Sequence, residues 1–131
     1  MTPGPSVPAT VIRWHSLAAT RDASALSDVI AEGAVFHSPA IHTPQSGKDV
    51  TIRYLAAAMD VLGPTLRYGR EWYAEGSAVL EFTADLDGIH VNGVDMFEWD
   101  ADGRITDFQV MVRPFKGLTR LMELMAARLA R

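Results

Sequence analysis

Asp95 is the residue whose type and position most invite chemistry. It falls in the alternating run Val91, Gly93, Asp95, Phe97, Trp99, whose other members are residues that build cores. A carboxylate on such a face is costly unless it is neutral, paired or open to a cavity. Burial would raise its pKa and leave one of two useful groups. One is a base poised nearer neutrality, the other a carboxylic acid able to donate a hydrogen bond. Two placements stay open. Asp95 faces a cavity, or a one-residue bulge or a structural partner makes it inert. Val94 and Met96 are also apolar, so alternation alone does not choose.

Few other residues compete with it. Ser38 follows a β-prone run and precedes Pro39, so its hydroxyl could meet a ligand or simply end a strand. Trp14, Tyr54 and Trp72 are large amphipathic side chains that suit a pocket wall or plain core. Phe36, Leu80, Phe82, Phe97, Phe108 and Val110 share the inward faces of their strands and would form the apolar wall around Asp95. His15 and His90 read as surface residues, His37 as facing away from the cavity, and His42 as a loop residue near its mouth. No histidine pair has metal-ligand spacing, and no glycine-rich phosphate loop or nucleophile elbow occurs. The reading is therefore no metal and no cofactor.

Composition narrows the classes. The chain has 131 residues, 48% apolar and 21% charged, which suits one packed domain. The absence of cysteine removes disulfides, thiolate metal sites and a thiol nucleophile. A net charge of −4 argues against nucleic acid or an anionic membrane as partner. No apolar run suits a membrane span, and residues 1–8 lack a signal pattern, so a cytoplasmic location is expected. The acids are concentrated. Residues 71–107 hold ten acids and one base, and most of those acids fall at turns and outward strand positions.

The elements that must position Asp95 are legible from periodicity. Residues 1–8 read as a flexible lead-in, and 9–131 as one domain. Val11, Trp14 and Ala18 mark a first helix. Asp22 is a fair N-cap for a short second helix with Leu26, Val29 and Ile30 inward and Gly33 as its stop. Val35–Ser38 is a short strand. Ser46-Gly47-Lys48-Asp49 resembles a capping box opening a third helix that Gly63-Pro64 ends. The period then changes to two. Leu66, Tyr68 and Trp72 alternate with polar residues, as do Leu80, Phe82, Ala84 and Leu86. Acid-Gly pairs at Glu75-Gly76, Asp87-Gly88 and Asp102-Gly103 predict hairpin turns joining four antiparallel strands. Leu118, Leu121, Met122, Met125 and Leu129 form the stripe of a last helix, as core or as a partner surface. Helices segregated over a curved antiparallel sheet make an α+β domain with a cone-shaped cavity between its layers.

Two stretches carry a family resemblance. One runs Trp14-His15-Ser16-Leu17 to Arg21-Asp22, then Ala34-Val35-Phe36-His37-Ser38-Pro39 and Gly47. The other is Gly93-Val94-Asp95-Met96-Phe97-Glu98-Trp99-Asp100-Ala101-Asp102-Gly103-Arg104-Ile105. With the order of elements, they resemble the superfamily of nuclear transport factor 2, ketosteroid isomerase and the SnoaL-like polyketide cyclases. The resemblance implies the cone-shaped α+β barrel, which hosts enzymes and binding modules alike. It puts Trp14 and Asp95 where ketosteroid isomerases form an oxyanion hole, and Ser38 where they carry a carboxylate base. An indole could still donate there, but a serine is no base at neutral pH. Orthodox steroid isomerisation is therefore not expected. An epoxide hydrolase arrangement fits worse, because its polar positions read Phe82, Ala84, Val110, Phe36 and Ser38.

Two functions follow as expectations. The first is a cofactor-free isomerase, cyclase or hydrolase that acts on a small apolar carbonyl or epoxide compound through Asp95. The second is a ligand-binding or dimerisation module without chemistry. The resemblance also implies a homodimer formed through the outer sheet face, including Val79, Glu81, Thr83, Val94 and Met96.

Overall fold

A computed structural model of the chain describes residues 6–130. The lead-in expected over residues 1–8 falls mostly outside them. Helix α1, Ala9–Thr20, buries Val11, Trp14 and Leu17. It ends on Arg21 in the left-handed region, φ 54°. Asp22 then caps a 3₁₀ turn, Ala23–Ala25, by accepting from the Ser24 N–H at 3.2 Å. Helix α2 is a single turn, Leu26–Val29.

Strand β1 begins at Ile30 and runs to His37. Gly33 therefore lies inside a strand and does not stop a helix. Ile30 is buried as a strand residue opposite Ile105, an exchange that its β-branching favours. Strand β2, Gln45–Ser46, pairs antiparallel with β1 through Val35 and Phe36. Ser46 is thereby held in a ladder, and the capping box does not form. Gly47 takes the N-cap place of α3, Lys48–Leu62, at φ 119°, a conformation open only to glycine. The Gly47 N–H donates to Ala34 O at 2.8 Å, so β1 supplies the cap contact instead.

Strands β3 (Arg67–Ala74), β4 (Ser77–Leu86), β5 (Ile89–Trp99) and β6 (Ile105–Arg113) form the expected antiparallel meander. Asp87 and Gly88, at φ 53° and 85°, make the two-residue turn that matches strand twist. Strand β1 joins β6 in parallel, which alternation within single strands could not show. The result is one curved, open, mixed sheet in the order β2-β1-β6-β5-β4-β3.

One irregularity redirects the edge strand. The β3–β4 register shifts between Tyr68 and Glu71. One extra residue in β3 turns Tyr68, Glu71 and Tyr73 inward and puts Trp72 on the outer face, 51% exposed. Trp72 is thus no pocket wall, and the Arg70 guanidinium stacks on it 5.4 Å from the ring centre.

The core lies between the concave sheet and the helices. Phe82, Phe97 and Phe108 are fully buried there, each worth about 1.5–3 kcal/mol of burial. Helix α4, Phe115–Leu129, packs Leu121 and Met125 against the sheet as its stripe predicts. Among the described residues no helix is long and apolar enough to cross a membrane.

Candidate active site

A cavity of about 410 Å³ opens between the sheet and helices α1, α3 and α4, within the usual size of small-molecule sites. Its floor is Phe36, Phe82, Phe108 and Val110 from the sheet. Trp14 closes one side, and Tyr54, Leu55 and Met59 of α3 another. The α4 stripe, Leu121, Met122, Met125 and Leu129, forms the roof. The stripe is core, with Leu121 and Met125 buried, and it also lines the cavity. Among the described lining residues Asp95 is the sole carboxylate, in a wall that is otherwise almost entirely apolar.

The inward placement of Asp95 is thereby settled: no bulge interrupts β5 there, where it pairs Leu80 on one side and Val110 on the other. It is 7% exposed. Its Oδ2 accepts a hydrogen bond from the Tyr68 hydroxyl at 2.6 Å. The Tyr68 oxygen in turn accepts from Trp14 Nε1 at 2.9 Å. Among the described residues Asp95 Oδ1 has no protein partner, and no fully buried side-chain oxygen or nitrogen lacks one. Oδ1 is therefore the oxygen open to the cavity.

Burial pushes the Asp95 pKa up to about 7, although the Tyr68 hydrogen bond pulls the other way. Burial also raises the Tyr68 pKa, reinforced by the charge and hydrogen bond of Asp95. Tyr68 thus stays protonated and donates. The chain of donors has one direction, from Trp14 to Tyr68 to Asp95. Both available protons are spent on stabilising a carboxylate.

The other candidates divide. Trp14, Phe36, Ser38, Tyr54, Phe82, Phe108 and Val110 all line the cavity beside Asp95. Leu80 and Phe97 do not; they are buried in the packed core beside it, with Phe97 stacked on Phe108 at 5.3 Å. Trp72 faces outward, as described. Ser38 accepts at Oγ from the Ala40 N–H at 3.2 Å, a local turn bond. His37 faces away, as expected, and pairs with Asp107 at 2.9 Å. His15 is not a free surface residue, since its Nε2 lies 2.5 Å from Glu71 Oε2.

Tyr68 is the residue that sequence reasoning missed. In the alternation of Leu66, Tyr68 and Trp72 it reads only as an apolar position. The available signal was its hydroxyl, because a buried phenol needs a partner and Asp95 was the unpaired polar group nearby.

The geometry has counterparts. The family model described as SnoaL-like domain matches residues 11–108. The chain is similar to a steroid delta-isomerase from Pseudomonas aeruginosa, at 42% identity over 93% of this chain and 90% of that one, TM-score 0.88. It is also similar to a protein with a cystatin-like fold from Silicibacter pomeroyi DSS-3, at 28% identity over 92% and 84%, TM-score 0.85. An NTF2-like protein of unknown function from Cytophaga hutchinsonii shares the fold, at 15% identity over 91% and 99%, TM-score 0.64. No curated protein matches the chain.

Proposed function

The chain belongs to the SnoaL-like domain family, and from that premise we propose a cofactor-free enzyme of the isomerase, cyclase or hydrolase type. Its substrate is a small apolar carbonyl or epoxide compound, and Asp95 is the group that moves the proton. The observation that carries this is Asp95 Oδ1, open to an apolar cavity while Oδ2 is held by Tyr68. A carboxylate with a pKa of about 7 populates both its forms at neutral pH, which suits a group that takes a proton and returns it.

Hydrogen-bond direction supports one role for Asp95. The protons of Trp14 and Tyr68 point toward Asp95, so neither is free to hold an oxyanion on a ligand. Asp95 is then the base. It takes a proton from a carbon acidified by a neighbouring carbonyl, and the neutral acid gives it back at another position. Isomerisation asks the least of such a site, because one group serves both steps. The similar protein from Pseudomonas aeruginosa, a steroid delta-isomerase, supports that choice among the three. Phe36 and Tyr54, stacked 5.2 Å apart, offer a flat apolar wall for the ligand.

A second reading has one observation in its favour. Ser38, not a carboxylate, occupies the place where the family resemblance puts a base, and it is engaged in a local turn. The chain would then bind an apolar ligand without chemistry. Deuterium exchange separates the two. Small unsaturated ketones are incubated in D₂O with the wild type and with Asp95→Asn, and exchange is followed by NMR. Wild-type exchange that Asp95→Asn abolishes supports the enzyme. Equal binding by both proteins with no exchange overturns it in favour of a binding module.

The outer sheet face is proposed as a homodimer surface. Val79, Glu81, Thr83, Val94 and Met96 are half-buried there, and the exposed Trp72 and Met111 extend the patch.

A further inference from the structure

Next to Tyr68 lies a second polar cluster that the proposed chemistry does not use. The register shift in β3 turns Tyr68 and Glu71 to the same side of the sheet. Helix α1 meets them with two successive residues. Trp14 donates to the Tyr68 hydroxyl, and His15 reaches Glu71. The His15 ring also stands edge-on to the Tyr68 ring, 4.9 Å between centres at 85°. Glu71 is engaged at both oxygens. Oε2 meets His15 Nε2 at 2.5 Å, and Oε1 accepts from the Tyr73 hydroxyl at 2.5 Å. Its side chain is 15% exposed.

We infer that His15 and Glu71 form a staple that positions Tyr68 and, through it, sets how tightly Asp95 holds its proton. The inference rests on the reading of Asp95 as the proton-moving group. A mostly buried carboxylate gains little stability over an apolar contact at the same place, so fold stability alone is a weak reason for one here. Its location gives a better reason. Tyr68 is the sole protein donor to Asp95 among the described residues, and the His15 ring of the staple packs edge-on against the ring that carries that donor. A small rotation of the ring would lengthen a 2.6 Å bond whose strength depends steeply on geometry. The titratable groups involved are His15 from α1, Tyr68, Glu71 and Tyr73 from β3, and Asp95 from β5. Glu71 and Asp95 both pair with Leu80, from opposite sides of β4. That puts them roughly 10 Å apart, two strand spacings, close enough for the Glu71 charge to be felt.

The two roles of Glu71 have opposite signs, so one variant separates them. The Asp95 carboxyl is titrated by ¹³C NMR, assigned by its loss in Asp95→Asn. A Glu71 acting only as a charge holds the Asp95 midpoint up, and Glu71→Ala would lower it. A Glu71 that positions Tyr68 holds the midpoint down, and Glu71→Ala raises it. The expected result is a rise of about half a pH unit, a roughly threefold tighter proton. Glu71→Gln keeps an acceptor for Tyr73 and should shift it less. A fall or no change in a folded Glu71→Ala overturns the staple. If Glu71→Ala does not fold, His15→Gln decides, with a rise supporting the staple and no change overturning it. Tyr68→Phe is the control. If it leaves the Asp95 midpoint in place, the Tyr68–Asp95 relation itself fails and the staple with it, whereas the reading of Asp95 as the proton-moving group fails separately, by absence of Asp95-dependent deuterium exchange.

Discussion

Tyr68 and Asp95 join hands across a strand. Their hydrogen bond, 2.6 Å from phenol to carboxylate, links β3 to β5 over the top of β4. Tyr68 lies in register with Phe82 and Gly93, whereas Asp95 lies one inward position further along β5. Gly93 makes the crossing possible, because the Phe82 ring lies over it where any side chain would stand. The tip of the Phe82 ring thus takes the place that a side chain at position 93 would need. The T-shaped contact of Tyr68 with Phe82, 6.4 Å between centres, completes the packing.

The buried Asp95 makes stability fall with rising pH. Its folded pKa, about 7, lies above the ordinary aspartate value of 3.8. Between those values the folded chain holds a proton that the unfolded chain has released. Stability is therefore fully present below about pH 4 and is lost progressively up to about pH 7, by on the order of 4 kcal/mol. Asp95→Asn removes the ionisation. Thermal unfolding should show the variant more stable than the wild type at pH 8, with the gap closing by pH 4. A gap that does not change with pH would contradict the raised pKa.

Removing the Tyr68 hydroxyl acts on two partners. In Tyr68→Phe, Trp14 Nε1 loses its acceptor inside the core, a cost of about 1–3 kcal/mol in urea unfolding. Asp95 loses the one bond that lowers its pKa, so its midpoint rises. Both changes in one variant are the signature of a relay. A stability loss without movement of the Asp95 midpoint would leave Tyr68 as packing alone.

Gly93→Ala tests the crossing itself. The added methyl would collide with the Phe82 ring and with Met111 O. Overpacking of this kind costs about 1–3 kcal/mol. Phe82 must move, and the Tyr68–Asp95 bond with it, so the Asp95 midpoint should rise as well. Urea unfolding and the same NMR titration check the pair of effects.

The outer face yields a solution prediction. Trp72→Glu places a charge at the exposed β3 edge of the proposed contact, beside Glu81 of the Arg70–Glu81 pair. Light scattering after size exclusion should find a dimer for the wild type and a monomer for the variant. A monomeric wild type refutes the interface.

Much of the fold was legible because burial periodicity is local. The Acid-Gly turns, the alternation of β4, β5 and β6, and the stripe of α4 each depend on neighbours within a few residues. Asp95 was legible for the same reason, as a carboxylate among core residues in an unbroken run. What failed was local order set by distant contacts. Gly33 reads as a helix stop, yet pairing with β6 and β2 makes its segment a strand. Ser46 reads as a cap, yet the ladder to Val35 holds it. Trp72 reads as a pocket wall until the bulge after Tyr68 reverses the faces of β3, and a bulge has no signature in alternation alone.

By itself, then, the sequence determined an α+β chain with one carboxylate set among core residues, its direction left open, and no sulfur chemistry. The tertiary structure decided where that carboxylate faces and what it bonds. Folding brings Tyr68 over β4 and Trp14 down from α1, so that Trp14 donates to Tyr68, Tyr68 donates to Oδ2, and Oδ1, without a protein partner among the described residues, is left to the cavity. Residues 14, 68 and 95 are far apart in the chain, and hydrogen-bond direction is a property of how they meet, which no spacing between them encodes.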